Sequence, residues 1–227
     1  MIYDNILPGI FLDRPNRFIA HVLIEGQEQV CHVKNTGRCG ELLHPGVTVW
    51  VQDAGQQVRR KTRYDLIAVQ KGQRIVNIDS AAPNRLFAEW APTAEQFAPL
   101  ELLRPETRHK DSRFDFYIES GSRRIFAEVK GVTQEFDNMV MFPDAPTQRG
   151  VKHLLGLRDC VAEGLEAWAV FIVQMQTVRY LTPNRDTDPA FAQALADAAE
   201  AGVHLLALDC HVEPDRLWVS GPVDIHL

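Results

Sequence analysis

Asp115, Glu128 and Lys130 are the residues whose types and spacing point most directly to chemistry. Between them, Gly121-Ser122 is a two-residue turn signal, with glycine where a type II′ turn needs positive φ. Such a turn pairs residues whose numbers add to 243, which sets Asp115 opposite Glu128. A four-residue loop centred on the same pair keeps that register. Directly opposed side chains have Cβ atoms roughly 4.5 to 5.5 Å apart, and like charges so placed repel. Lys130, two residues further on, projects from the same face. Two hard carboxylates within reach of one ion, with an ammonium beside them, form a candidate Mg²⁺ or Mn²⁺ site. An ion there would polarise a phosphodiester and lower the pKa of a water, with Lys130 holding that water or countering charge on phosphorus. On this reading the ion-free chain carries a repulsion, so neutralising Glu128 or adding Mn²⁺ should raise the melting temperature. The alternative is a surface salt-bridge cluster in which Arg113 and Lys130 neutralise both acids, a network that stabilises little. Ile125, Ala127 and Val129 alternate with the charged set, so one face of the strand is core, which favours the ion site.

The elements that must position these residues follow from periodicity. Arg113 to Glu119 and Arg123 to Val132 read as the two strands of the hairpin. A helix follows near Thr147, with Val151, Leu154, Leu155, Val161 and Ala162 at helical spacing. Ala167 to Gln174 is a fully apolar buried strand. Asp188 caps the next helix with Pro189 at its first position, Gly202 ends it, and Val203 to Val212 is a last long strand. Hairpin, helix, strand, helix, strand is an α/β layered domain.

The first part of the chain has a different rhythm. Arg17 to Ile24, Gln29 to Lys34, Val47 to Gln52, Tyr64 to Gln70 and Arg74 to Ile78 read as five short strands separated by turns. Five such strands suggest a small closed barrel of OB type. Between the third and fourth lie Arg59, Arg60, Lys61, Arg63 and Tyr64, four cations beside an aromatic, which could track a phosphate backbone and stack one base. The plain alternative is a solvated basic loop. An Ala- and Pro-rich connector from Ala81 to Pro99, with a helical turn at Arg85 to Trp90, marks the boundary. The expected division is 1–88, a nucleic-acid-binding barrel, and 89–227, the domain with the acid pair.

Composition is that of an ordinary globular protein, 45% hydrophobic and 24% charged. The net charge of −6 conceals an asymmetry: residues 1–88 carry +3 and residues 89–227 carry −9. A mildly basic module joined to an acidic one suits a nucleic-acid grip beside a carboxylate site. No apolar run approaches the roughly eighteen residues of a membrane helix. The N-terminus lacks a basic region followed by a hydrophobic core, so a cytoplasmic protein without a membrane partner is expected. Cys31, Cys39, Cys160 and Cys210 show no paired spacing and read as reduced, packed thiols; Cys31, Cys39, His32 and His44 lack zinc-site spacing.

An Asp on one strand and Glu-x-Lys on its hairpin neighbour resembles the signature of the PD-(D/E)xK, or restriction-endonuclease-like, nucleases. Longer segments carry a closer likeness. In the first half these are Phe18-Ile19-Ala20-His21-Val22, Asn35-Thr36-Gly37-Arg38 and Glu41-Leu42-Leu43-His44-Pro45-Gly46. In the second they are Ser112-Arg113-Phe114-Asp115-Phe116, Glu128-Val129-Lys130-Gly131-Val132-Thr133, Phe142 to Gly150, and Lys152-His153-Leu154. Together, in this order, they resemble the sugar fermentation stimulation protein (SfsA) family of bacteria and archaea. The resemblance implies an N-terminal OB-like barrel, a C-terminal restriction-endonuclease-like domain and DNA binding. The family name reflects a link to sugar-use phenotypes rather than a chemistry.

Carried over by position, the matched charged residues are Glu106, Asp115, Glu128, Lys130, Asp144, Arg149, Lys152 and His153. Glu106 is either the third acid such nucleases often place near the metal or a solvated glutamate after Pro105. Asp144 caps the turn before the helix or faces the site. Arg149, Lys152 and His153 share a helix face opposite the apolar stripe, aiming positive charge at the scissile phosphate; His153 is alternatively a satisfied boundary histidine. Gly131 departs from the family, which usually has Ser there, as does the segment Asp137 to Val140. The expected function is a DNA-binding protein with a divalent-metal-dependent nuclease-like site, in which Glu106 and His153 join Asp115, Glu128 and Lys130. The rival from another class is a non-catalytic DNA-binding regulatory protein linked to sugar metabolism, and RNA is a second candidate substrate. Monomer and homodimer both fit the sequence.

Overall fold

Runs of alternating apolar residues in the first eighty positions curl into a barrel in the computed structural model, which describes residues 1–35, 37–55 and 62–227. Its strands are β1 (Ile6–Asn16), β2 (Ile19–Ile24), β3 (Gln27–Val33), β4 (Thr48–Asp53), β5 (Tyr64–Lys71) and β6 (Arg74–Asn77). They are ordered β3-β2-β1-β4-β5-β6, and a parallel β3–β5 pairing closes the barrel through β1 to β5. All five expected strands are present, but the closure needs β1, which the sequence pattern does not reveal. Pro8, Gly9 and Pro15 punctuate β1 like a loop. Pro8 is tolerated because there β1 pairs only with β4; pairing to β2 begins at Ile10.

β5 is buried on both sides. Tyr64, Leu66 and Val69 face the barrel interior, while Ile67 and Ala68 belong to a second buried cluster with the helix that follows. A register shift opposite Trp50 and Val51 produces this, turning two consecutive side chains outward. That helix, α1 (Ala82–Trp90), packs Ala82, Leu86 and Phe87 against the C-terminal domain. Residue 88 thus falls inside α1.

The C-terminal domain is an α/β layer structure. Its strands are β7 (Leu100–His109), β8 (Ser112–Ser120), β9 (Arg123–Val132), β10 (Gln134–Phe136), β11 (Met139–Phe142), β12 (Glu166–Val173), β13 (Tyr180–Pro183), β14 (His204–Val212) and β15 (Leu217–Ile225). Among the described residues they form one sheet, ordered β10-β11-β13-β15-β14-β12-β9-β8-β7, with β9, β12 and β14 parallel at its centre. α1 covers one face, over Ile125, Ala127, Val129 and Trp168. The other is covered by α2 (Gln148–Ala162) and α3 (Pro189–Glu200), whose Leu154, Leu157, Phe191 and Leu195 pack with Phe126, Ala169 and Phe171.

Helix starts follow local chemistry. The Thr147 hydroxyl accepts from Gly150 N at 3.0 Å, and the Asp188 carboxylate accepts from Phe191 N at 2.9 Å with Pro189 in the first turn. The four cysteines are free and buried, and burial pushes the thiols of Cys31, Cys39 and Cys160 up to about 12. Among the described residues no helix is long and apolar enough to cross a membrane.

Candidate active site

The hairpin has the expected register. Phe116 pairs with Ala127, Tyr117 with Phe126 and Ser120 with Arg123, around Gly121 at φ 59°. Pairing stops at Phe116, and Asp115 is the first residue beyond it. There β8 turns its side chains over: Phe116 belongs to the buried cluster under α1, whereas Phe114 belongs to the cluster under α2. Asp115 occupies the opening that this divergence leaves beside β9. Its Oδ2 accepts from Val129 N at 2.8 Å, and its Oδ1 accepts from Asn84 Nδ2 at 3.0 Å.

Glu128 pairs through its backbone with Ala169 of β12 and is 3% exposed. Its Oε1 accepts from both Lys130 Nζ and His153 Nδ1, at short range. Its Oε2 is buried and, among the described residues, has no hydrogen-bond partner. The two acids are pushed apart in acidity. Burial, and then the charge of Glu128, raise Asp115 above the carboxylate range against the Val129 N–H, Lys130 and Asn84. Burial alone would raise Glu128 too, but the His153 and Lys130 bonds hold it below that range. Asp115 thus lies within reach of the charges of Glu128 and Lys130, bonded from α1 by Asn84 while Glu128 is bonded from α2 by His153. The residues able to hold a cation are the two acids; among the described residues no three His, Cys, Asp or Glu side chains gather in a metal-binding group.

Other sequence expectations need correction. Glu106 is exposed, at φ 53°, and its carboxylate pairs with Arg113 Nε at 2.8 Å; it lies within β7 between the Pro105–Phe116 and Thr107–Phe114 pairs. His153 is not on a solvent face opposite the apolar stripe. It is 5% exposed, beside buried Leu154 and Leu157, while Arg149 and Lys152 are exposed. At this helical spacing His153 lies where the two faces meet, and its bond to Glu128 carries it inward. Asp144 neither caps the helix nor joins the acid pair; its Oδ2 accepts from Arg38 N at 3.1 Å, across a cleft of about 170 Å³ that Gly37, Gly131 and Gln174 also line.

Tyr64 does not offer its ring to a base, because it is 7% exposed within the barrel core. The Arg63 guanidinium is paired with Asp53, its Nε donating at 2.8 Å. Arg59, Arg60 and Lys61 lie outside the described residues. Sequence reasoning missed Asn84, whose bond to Asp115 spans 31 positions and leaves no local pattern.

The chain also matches known proteins. Residues 12–78 match the family model described as the SfsA N-terminal OB domain, and residues 81–216 match that of the sugar fermentation stimulation protein RE domain. The chain belongs to the sugar fermentation stimulation protein family. A homolog from Desulfitobacterium hafniense (strain Y51) is 53% identical, over 100% of this chain and 99% of its own length. One from Ruminiclostridium cellulolyticum is 49% identical over 100% of both chains. The structure of Pyrococcus furiosus SfsA in complex with Ca²⁺ is similar at a TM-score of 0.90 and 29% identity, covering 100% of this chain and 98% of that one.

Proposed function

We propose that this family member is a DNA-binding nuclease in which Asp115 and Glu128 hold a divalent cation, Mg²⁺ or Mn²⁺, and Lys130 serves the reacting phosphate. One observation carries the reading: Glu128 Oε2 is buried without a partner among the described residues, while Oε1 takes both neighbouring donors. An unsatisfied buried acceptor costs roughly 1–3 kcal/mol, more if charged, and here it stands beside a second acid whose charge it disturbs. A hard, oxygen-seeking cation would satisfy the bare oxygen and offset the repulsion. Two protein carboxylates suit Mg²⁺, which usually keeps several waters. The Pyrococcus furiosus relative, solved in complex with Ca²⁺, supports a hard divalent ion on this fold.

When bound, such an ion supplies Lewis acidity toward a phosphodiester oxygen and makes water a better nucleophile at neutral pH. The chain's own groups do the rest. Lys130 has three N–H donors, one given to Glu128, which leaves two for a water or a non-bridging phosphate oxygen. His153 fixes the direction of Glu128 from the helix side, and Val129 N–H does the same for Asp115. Exposed Arg149 and Lys152, on α2, are suited to flanking phosphates. Incubation with single- and double-stranded DNA and RNA, with and without Mn²⁺, tests the reading. Cleavage should require Mn²⁺, disappear in Glu128→Gln and be suppressed in Lys130→Ala. Intact DNA binding with no cleavage under any condition would instead favour a binding module.

A further inference from the structure

Asn84 lies in the first turn of α1, where a polar side chain often caps the helix. No side chain caps this one, and Asn84 reaches across to Asp115 instead. Asparagine is a poor helix former, costing about 0.5 kcal/mol against alanine in a helix interior, so its presence in a nine-residue helix calls for a tertiary reason.

The start of α1 is held firmly. Asp79 is 1% exposed; its Oδ1 accepts from Ala81 N, and its Oδ2 from Lys34 Nζ at 2.9 Å and the Tyr3 hydroxyl at 3.2 Å. Gln174, at the end of β12, donates to the Asp79 carbonyl at 3.0 Å. The barrel and the sheet therefore fix the point from which Asn84 extends, and buried Leu86 and Phe87 fix the rotation of the helix about its axis.

The two acids are held in different ways. Each oxygen of Asp115 has its own donor, Val129 N on Oδ2 and Asn84 Nδ2 on Oδ1, which sets the plane of the carboxylate. Glu128 has both donors on one oxygen, which leaves the other bare. Donors that orient a ligand from behind govern metal affinity nearly as strongly as the ligands. We infer that Asn84 is a positioning residue for the acid pair: it fixes the Asp115 carboxylate so that the pair meets a divalent cation already aligned. The inference rests on reading Asp115 and Glu128 as the ion site.

Calorimetric titration of the full chain with Mn²⁺, beside thermal melts without the ion, tests it. Asn84→Ala and Asn84→Leu both remove the donor and are better helix formers. Each should weaken Mn²⁺ binding roughly 10-fold, an effect on affinity over and above any fall in the ion-free melting temperature from the lost donor. That added effect distinguishes positioning from a merely structural hydrogen bond, whose loss would lower the melting temperature and leave affinity unchanged. Wild-type affinity retained by both variants overturns this inference and leaves the ion site standing. No binding by the wild type overturns the ion site, and this inference with it.

Discussion

The backbone N–H of Val129 donates to the carboxylate of Asp115 at 2.8 Å, so the acid beyond the last pair of β8 is bonded to the residue separating Glu128 from Lys130. A side chain has taken up a backbone donor where the strands part. The acid pair is thus built into the sheet, and its geometry follows the sheet rather than a loop.

The two acids should respond oppositely to neutralisation. Asp115 is raised by burial and by Glu128, so Asp115→Asn removes a disfavoured charge and should raise the ion-free melting temperature by roughly 2–4 °C per kcal/mol gained. Glu128→Gln removes the anion that Lys130 and His153 share and should cost about 3 kcal/mol. This reverses the stabilisation that the sequence suggested for Glu128→Gln, because simple opposition of charges says nothing of His153. Chemical denaturation of both variants in chelator decides the signs; stabilisation by Glu128→Gln would contradict the bonding described.

Glu135 links the barrel to the C-terminal domain, pairing with Lys71 at 2.6 Å and lying 3.8 Å from Arg74. Burial opposes its charge, but Lys71, the Asn138 N–H and Arg74 hold it below the usual 4.5. A carboxyl depressed in the folded state stabilises fully above its unfolded value, and that contribution is lost as pH falls through the folded value. The stability gap between wild type and Glu135→Gln, roughly 1–3 kcal/mol at neutral pH, should therefore close on acidification below about pH 4.5. Denaturant midpoints across that range give the measurement, and a gap independent of pH would remove Glu135 as the cause.

Gly131→Ser should destabilise the chain by about 1–3 kcal/mol. A Cβ at Gly131 would stand 2.5 Å from Gln174 Oε1 and 2.7 Å from Pro83 Cγ. Neither yields easily: Pro83 is a ring in α1, and the Gln174 amide is tied to Asn77 and Asp79. Glycine at this position thus has a packing reason. Equal melting temperatures for the two proteins would show that Gln174 moves aside.

The nucleic-acid binding proposed for this chain should show itself in a salt dependence. Arg149→Ala with Lys152→Ala should reduce the log–log slope by roughly 0.7–0.9 for each phosphate that is no longer neutralised. A parallel replacement of Arg59, Arg60 and Lys61 measures the basic segment of the sequence; Arg63 is omitted because it is paired with Asp53. Whichever set leaves the slope unchanged lies off the binding surface.

Much of this arrangement was legible in the sequence where the determinants are local. Gly121 fixed the hairpin register by its positive φ, and Asp188-Pro189 fixed the start of α3. Among the strands not foreseen, β1, β7 and β15 carry proline or glycine, which mark turns in a linear reading, and β10, β11 and β13 are only three or four residues long. In the fold, Pro105 sits on the edge strand β7, and Gly221 and Pro222 sit in β15 beside the bulge at Asp209 and Cys210. At the site, Asp115 lies beyond the last hairpin pair and is placed by its bond to Val129 N, while Glu128 and Lys130 follow from a period of two. Asn84 and the inward turn of His153 do not, since both depend on helices packed from distant parts of the chain.

β5 forms part of the lining of two interiors, Leu66 and Val69 on the barrel side and Ile67 and Ala68 on the other. Melting either half would strip one side of the same strand and expose apolar surface in its neighbour. Two structural modules of this kind share one thermodynamic fate. Heating the chain should give a single endotherm, with van't Hoff and calorimetric enthalpies in agreement, where a pair of independent domains would give two.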